Sequence, residues 1–266
     1  MRTRFIGSIL VALALLAIAL SSHAQTSANP GKGAATAIPD LSGSWTPHRQ
    51  IPVTADNALC GIRNVCAGLL GATGPAAERS EEPQMQHWAE EKYKAVKEGK
   101  ERDPNFTGCL PQGPTDLMLD DRRYFELRQF PDMVLLLFDQ DHWVRRIYMD
   151  GRGHPAGYPS TWMGHSIGKY EGDTLVVDTV AFNDTGWLDR DGHPHSDALH
   201  LVERIRRVSP SALEYQVTID DPKAYEKPWT RKIVQDARPP GSEILEEVLC
   251  EELLQMGTHY SAKSTK

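Results

Sequence analysis

The chain has 266 residues and carries 29 Lys and Arg against 36 Asp and Glu, a formal net charge of −7. Such an acidic protein is not expected to bind nucleic acid, which requires basic patches that displace counterions, or to dock on anionic lipid surfaces. Its length accommodates one large all-β domain or two small ones, with enough chain to bury a substantial core.

Residues 1–24 have the layout of a secretory signal. Arg2 and Arg4 precede an uninterrupted apolar run from Ile9 to Leu20, and Ser22-His23-Ala24 offers a small-residue cleavage site before Gln25. That run is shorter than the roughly 20 residues a membrane-spanning helix needs. No cysteine follows the cleavage point, so a lipid anchor is not expected. Cleavage would leave 242 residues with a net charge of −9. A periplasmic or secreted protein with no stable membrane insertion is predicted.

Residues 25–37 are small and polar and read as a flexible leader. Ile38 to Trp45 is a short strand candidate, and Thr46 to Glu82, rich in Gly, Pro and Ala, is a long loop. Met85, Trp88, Ala89, Tyr93 and Val96 recur at helical spacing, which predicts one amphipathic helix over about residues 83–99. Asp103 to Pro114 reads as loop again. The four cysteines, Cys60, Cys66, Cys109 and Cys250, form an even set in an oxidising compartment, where disulfides are expected. Cys60 and Cys66 could staple one loop and leave Cys109 for Cys250, but spacing alone leaves all three connectivities open.

From Tyr124 the period changes to two. Tyr124–Phe130, Met133–Phe138, Trp143–Met149, Trp162–Tyr170, Thr174–Asn183, Leu199–Val208, Ala212–Ile219, Trp229–Val234 and Ile244–Glu251 read as strands. The turns at 131–132, 139–141, 171–173 and 209–211 are too short for crossover helices, so neighbouring strands should be antiparallel. The prediction is a mainly β, up-and-down, lipocalin-like barrel with one helix and long N-terminal loops. It forms a single domain over residues 38–252, followed by a flexible tail at 253–266. Closure into a barrel removes exposed edges.

Gly43-Ser44-Trp45 ahead of a meander resembles the lipocalin or calycin type of barrel. The segments from Gly172 to Thr179, His193 to His200, Glu203-Arg204 and Thr218 to Lys223 look like a large family of exported bacterial proteins, with similarity over most of residues 105–252. That resemblance implies the barrel and export, and carries no activity with it.

Alternation sorts the candidate site residues by face. Glu203 shares a face with Leu199, Leu201 and Ile205, so it reads as a carboxylate inside the barrel that needs a cation. Arg145 is the guest if one face of Trp143–Met149 points inward. If the other does, Arg146, Tyr148 and Asp150 line the cavity. His154, His193, His195 and His200 crowd two polar loops. His195, His200, Asp197 and Glu203 form the expected acid–base set, with Arg146, Tyr148, Trp162, His165, Asn183 and Trp187 as ligand contacts. Asp178 is a further acid on an apolar face, and Asp220-Asp221-Pro222 reads as turn chemistry. No cofactor is expected; a divalent metal would use His193 and His195, with His200 or Glu203 completing a three-ligand site.

These features point to a small-molecule enzyme performing elimination, isomerisation or hydrolysis on an apolar or aromatic substrate, with the 83–99 helix as a lid. The alternative is a non-catalytic periplasmic carrier of an apolar ligand.

Overall fold

The computed structural model describes residues 38–47, 82–102, 104, 109–120, 123–242 and 249–250. The signal, the leader, Cys60, Cys66, the tail and all but Leu249 and Cys250 of the expected Ile244–Glu251 strand lie outside these residues.

Nine strands close into one barrel in sequence order. They are β1 (Gly43–Pro47), β2 (Phe125–Gln129), β3 (Met133–Phe138), β4 (Val144–Tyr148), β5 (His165–Glu171), β6 (Thr174–Val180), β7 (His200–Ser209), β8 (Ala212–Asp220) and β9 (Trp229–Ala237). Antiparallel pairing of β1 with β9, with Trp45 opposite Ala237, closes the ring. Inward residues alternate as the period-two pattern requires: Val134, Leu136 and Phe138 on β3, Leu201, Glu203 and Ile205 on β7, and Leu213, Tyr215, Val217 and Ile219 on β8 are all buried.

One neighbour pair departs from the up-and-down rule. β4 and β5 run parallel, with Ile147 opposite Ser166 and Tyr148 opposite Ile167. Parallel neighbours cannot be joined by a tight turn. The chain from Met149 to Gly164 therefore travels back to the starting end of the sheet before β5 begins. This also moves the start of the fourth expected strand from Trp162 to His165. At that end, Gly164 (φ +65°) and Ala181 (φ +65°) both adopt the left-handed conformation. A Cβ on Gly164 would lie 2.7 Å from the Val180 carbonyl oxygen, so only glycine fits there. β6 ends at Val180, three residues before the expected Asn183, and Ala181 follows it.

The helix α1 (His87–Lys97) falls within the predicted span. Met85 bridges Tyr225, Gln86 N–H donates to the Ala224 carbonyl at 2.8 Å, and Trp88 Nε1 donates to the Lys223 carbonyl at 2.7 Å. A second helix, α2 (Pro114–Leu119), was not predicted. Its Leu117 and Met118 join the barrel core, and Gln235 Nε2 donates to the Met118 carbonyl at 3.1 Å. Cys109 and Cys250 form a disulfide across 141 residues of sequence. Trp45 is fully buried, with its Nε1 donating to the Leu41 carbonyl and the Arg207 guanidinium 4.9 Å from its ring centre. No helix among the described residues is long and apolar enough to cross a membrane.

Candidate functional site

Inside the barrel, Arg145 occupies the face that sequence alternation left undecided, and Arg146 is exposed on the outside. Arg145 Nη1 donates to Glu203 Oε1 at 2.8 Å and Nη2 bonds Glu203 Oε2. Ser166 Oγ and Thr179 Oγ1 lie 3.2 and 3.0 Å from Arg145 Nη2, and Tyr215 OH donates to Glu203 Oε1 at 2.8 Å. Burial and the adjacent carboxylate push the Tyr215 phenol well above its ordinary range, so it stays a donor. Glu203, Tyr215, Val217 and Ile205 have no solvent-accessible surface and Arg145 has 1 %. A void large enough for water would expose some of their atoms. This part of the barrel is a packed, fully paired polar core.

The other expected acid–base residues do not gather around Glu203. His195 is buried beside Phe182, with ring centroids 6.5 Å apart and Nδ1 3.3 Å from the Ser196 carbonyl; burial lowers its pKa. Asp197 is exposed and pairs with Lys223 at 2.6 Å. The Asp221 carboxylate accepts from Ser196 N and Oγ at 2.6 and 2.7 Å and from Ala224 N at 3.2 Å, the structural turn role expected of it. Trp162, Asn183 and Trp187 are half-buried residues of the connecting loops.

The structure instead assembles a histidine cluster on the outer wall, over β4 to β7. Asp178 on β6 accepts at Oδ1 from His154 Nε2 at 3.0 Å and from His200 Nε2 at 3.1 Å. Among the described residues these two histidines are its only hydrogen-bond partners. His154 Nδ1 lies 2.8 Å from His165 Nδ1. One proton must lie between those nitrogens. When His154 Nε2–H donates to Asp178 and both rings are neutral, His165 Nδ1–H is the donor to His154. His165 Nε2 then carries a lone pair and has no hydrogen-bond partner among the described residues.

His165 is only 3 % exposed although it faces outward, because the 149–164 connection covers it. Tyr158 from that connection lies 4.7 Å from the His165 ring centre, and Tyr148 stacks on it at 5.4 Å and 24°. Arg152 sits 4.0 Å from the centre of the Tyr148 ring and is held by Asp150. Burial, with the neighbouring His154 and the Arg152 cation acting in the same direction, lowers the His165 pKa. The parallel β4–β5 pair thus creates the site: it sends the connection along the wall and sets His154 and Tyr158 over His165. Sequence reasoning named His165, His200 and Tyr148, and noted His154 and Asp178 separately. Sequence separations of 11 and 24 residues gave no signal that these residues meet.

A second cluster lies under α1. His193 Nδ1 is 2.8 Å from Asp189 Oδ1, its Nε2 is 3.1 Å from Glu82 Oε1, and Tyr93 stacks on its ring at 4.7 Å. Ligand atoms of Asp189, Asp191 and His193 lie within 4.8 Å of one another, close enough to share a cation. Two cations already serve that purpose: Arg231 is 3.1 Å from Asp189 and 3.7 Å from Asp191, and Lys97 is 3.3 Å from Asp191. Although burial works against it, His193 and Arg231 hold the Asp189 carboxyl below its ordinary value. His193, His195 and His200 have separate partners in separate places and do not form the single three-histidine site the sequence suggested. α1 packs on this loop and on residues 223–226.

Compared with known protein families, curated proteins and solved structures, the chain matches none.

Proposed function

We propose that this protein is an exported small-molecule enzyme whose acid–base chemistry runs on the outer wall of the barrel rather than inside it. One observation carries the reading: the nearly buried His165, bracketed by Tyr148 and Tyr158, has an unpartnered Nε2 and is linked through His154 to Asp178. In such a chain Nε2 takes a proton from the substrate, the proton between the rings passes to His154, and the imidazolium formed is stabilised by the Asp178 carboxylate. The reverse sequence returns the proton, as an elimination, isomerisation or hydrolysis requires. The aromatic flanks favour an apolar or aromatic organic substrate.

The packed Arg145–Glu203 core argues against a carrier that holds its ligand around those residues. The signal-like residues 1–24 and the Cys109–Cys250 disulfide support a periplasmic or secreted location. The segments between residues 172 and 223 support the likeness to the exported bacterial family.

The test is untargeted mass spectrometry of pooled small organic molecules incubated with the purified protein. A compound consumed by the wild type, and at least about 100-fold more slowly by His165→Gln, supports the reading. Equal consumption by both proteins, or by neither, overturns it.

A further inference from the structure

We infer that Arg152 anchors the substrate through a carboxylate, which makes the substrate a small aromatic or apolar carboxylic acid. The inference rests on the outer-wall acid–base reading and names the class of molecule that site takes. Arg152 and His165 lie against the same ring. The guanidinium carbon is 4.0 Å from the Tyr148 ring centre, and the His165 ring centre is 5.4 Å from it. Cation and base are therefore separated by no more than one aromatic side chain. A guanidinium has five N–H donors. Asp150 takes only one edge of this one, through Nε at 2.8 and 2.9 Å and through Nη2. Nη1 has no partner among the described residues, and Nη2 keeps a second hydrogen. Together they make the end-on fork that binds a carboxylate through two parallel hydrogen bonds.

The surroundings suit a singly charged anion. The Arg152 side chain is 46 % exposed, so a ligand reaches the fork from solvent. Asp150 also accepts from the Arg152 backbone N–H at 3.2 Å, which fixes the loop that carries the guanidinium. Pairing of Ile147 with Ser166 and of Tyr148 with Ile167 sets Arg146 level with His165. Arg146 is exposed and has no hydrogen bond or ion pair among the described residues. Arg146 and Arg152 thus balance Asp150 and Asp178. One added carboxylate meets no net repulsion, whereas a phosphate monoester brings a second negative charge with no cation to meet it. The Arg152 charge also helps to keep His165 unprotonated. A carboxylate on the fork offsets that influence, so His165 becomes a stronger base when the acid binds.

The test is a titration of the full-length mature protein with phenylacetate and with uncharged phenylacetamide, followed by the His165 signals in ¹H–¹⁵N spectra. Phenylacetate should bind with a dissociation constant of about 1–10 mM, the range for a fragment of its size, and phenylacetamide at least tenfold more weakly. Saturating phenylacetate should raise the His165 pKa. Arg152→Gln should weaken phenylacetate at least tenfold, leave phenylacetamide unchanged and abolish the pKa rise. Arg152→Lys should restore part of the affinity, because it keeps the charge and loses the fork. Arg128→Gln, which removes an exposed arginine on β2, should change neither ligand. Equal binding of acid and amide, phenylacetate binding that survives Arg152→Gln, no binding at about 20 mM, or tighter binding of phenyl phosphate overturns the inference. If acid and amide bind alike while His165→Gln still abolishes turnover, the carboxylate anchor falls and the acid–base reading stands. If the acid binds through Arg152 while His165→Gln turns over at the wild-type rate, the carboxylate site stands and the acid–base reading falls.

Discussion

Arg145 on β4 and Glu203 on β7 are joined inside the barrel through both guanidinium Nη atoms, and neither side chain reaches bulk solvent. Breaking a buried pair from one side leaves an uncompensated charge, whereas replacing both partners with apolar groups is often neutral. Glu203→Gln should therefore lower unfolding free energy by about 3–5 kcal/mol in urea melts. The double variant Arg145→Met, Glu203→Leu should recover most of that loss. A Glu203→Gln protein as stable as wild type would contradict this assignment.

The Cys109–Cys250 disulfide closes a loop with a sequence separation of 141 residues. Loop-closure entropy gives about 5 kcal/mol as the upper limit of its contribution. Cys109→Ser should lower the urea midpoint strongly under oxidising conditions and leave it unchanged relative to wild type in excess reductant. Equal midpoints under oxidising conditions would show that the bond contributes nothing.

Asp139 titrates in an unusual range because burial raises its pKa to about 6 from an ordinary 3.8, with Arg123 opposing the shift. As pH rises, the unfolded chain releases this proton before the folded one does. Asp139 thus removes stability between about pH 4 and pH 6, to a total of about 3 kcal/mol. Asp139→Asn keeps the acceptor that Tyr124 N–H uses at 3.2 Å and should flatten the decline. Thermal melts from pH 4 to pH 8 check this; parallel curves for the two proteins would refute it.

Gly192 fixes the seat of α1. Its φ is +91°, and a Cβ there would lie 2.5 Å from Val96 Cγ1. Gly192→Ala should displace the helix, cost about 1–3 kcal/mol and speed proteolysis between residues 87 and 97. Adding Val96→Ala should restore part of the protection, because it removes the atom that clashes. Unchanged proteolysis in Gly192→Ala would mean that the helix is seated elsewhere.

Alternation was enough to place Glu203 inside the barrel, because three apolar neighbours at period two leave only one buried face. It could not choose between Arg145 and Arg146. On β4 each face mixes charged and apolar side chains, and period two separates faces without saying which is inner. The parallel β4–β5 pair escaped because the residues between Met149 and Trp162 carry no strand signal, and nothing in them reports how far they travel. The histidine site escaped with it, since His154 reaches Asp178 only after that connection has doubled back. α2 is a six-residue helix, too short to display a face. Its burial comes from tertiary packing rather than from local pattern.

On the proposed function, proton transfer belongs to the outer-wall chain of Asp178, His154 and His165, and not to the carboxylate inside the barrel. Turnover of whichever compound the wild type consumes should be measured for Asp178→Asn and Glu203→Gln at a temperature where both remain folded. At least a 100-fold loss of rate is expected for Asp178→Asn, and a rate within a few-fold of wild type for Glu203→Gln. A wild-type rate in Asp178→Asn, or a dead but folded Glu203→Gln, would contradict it.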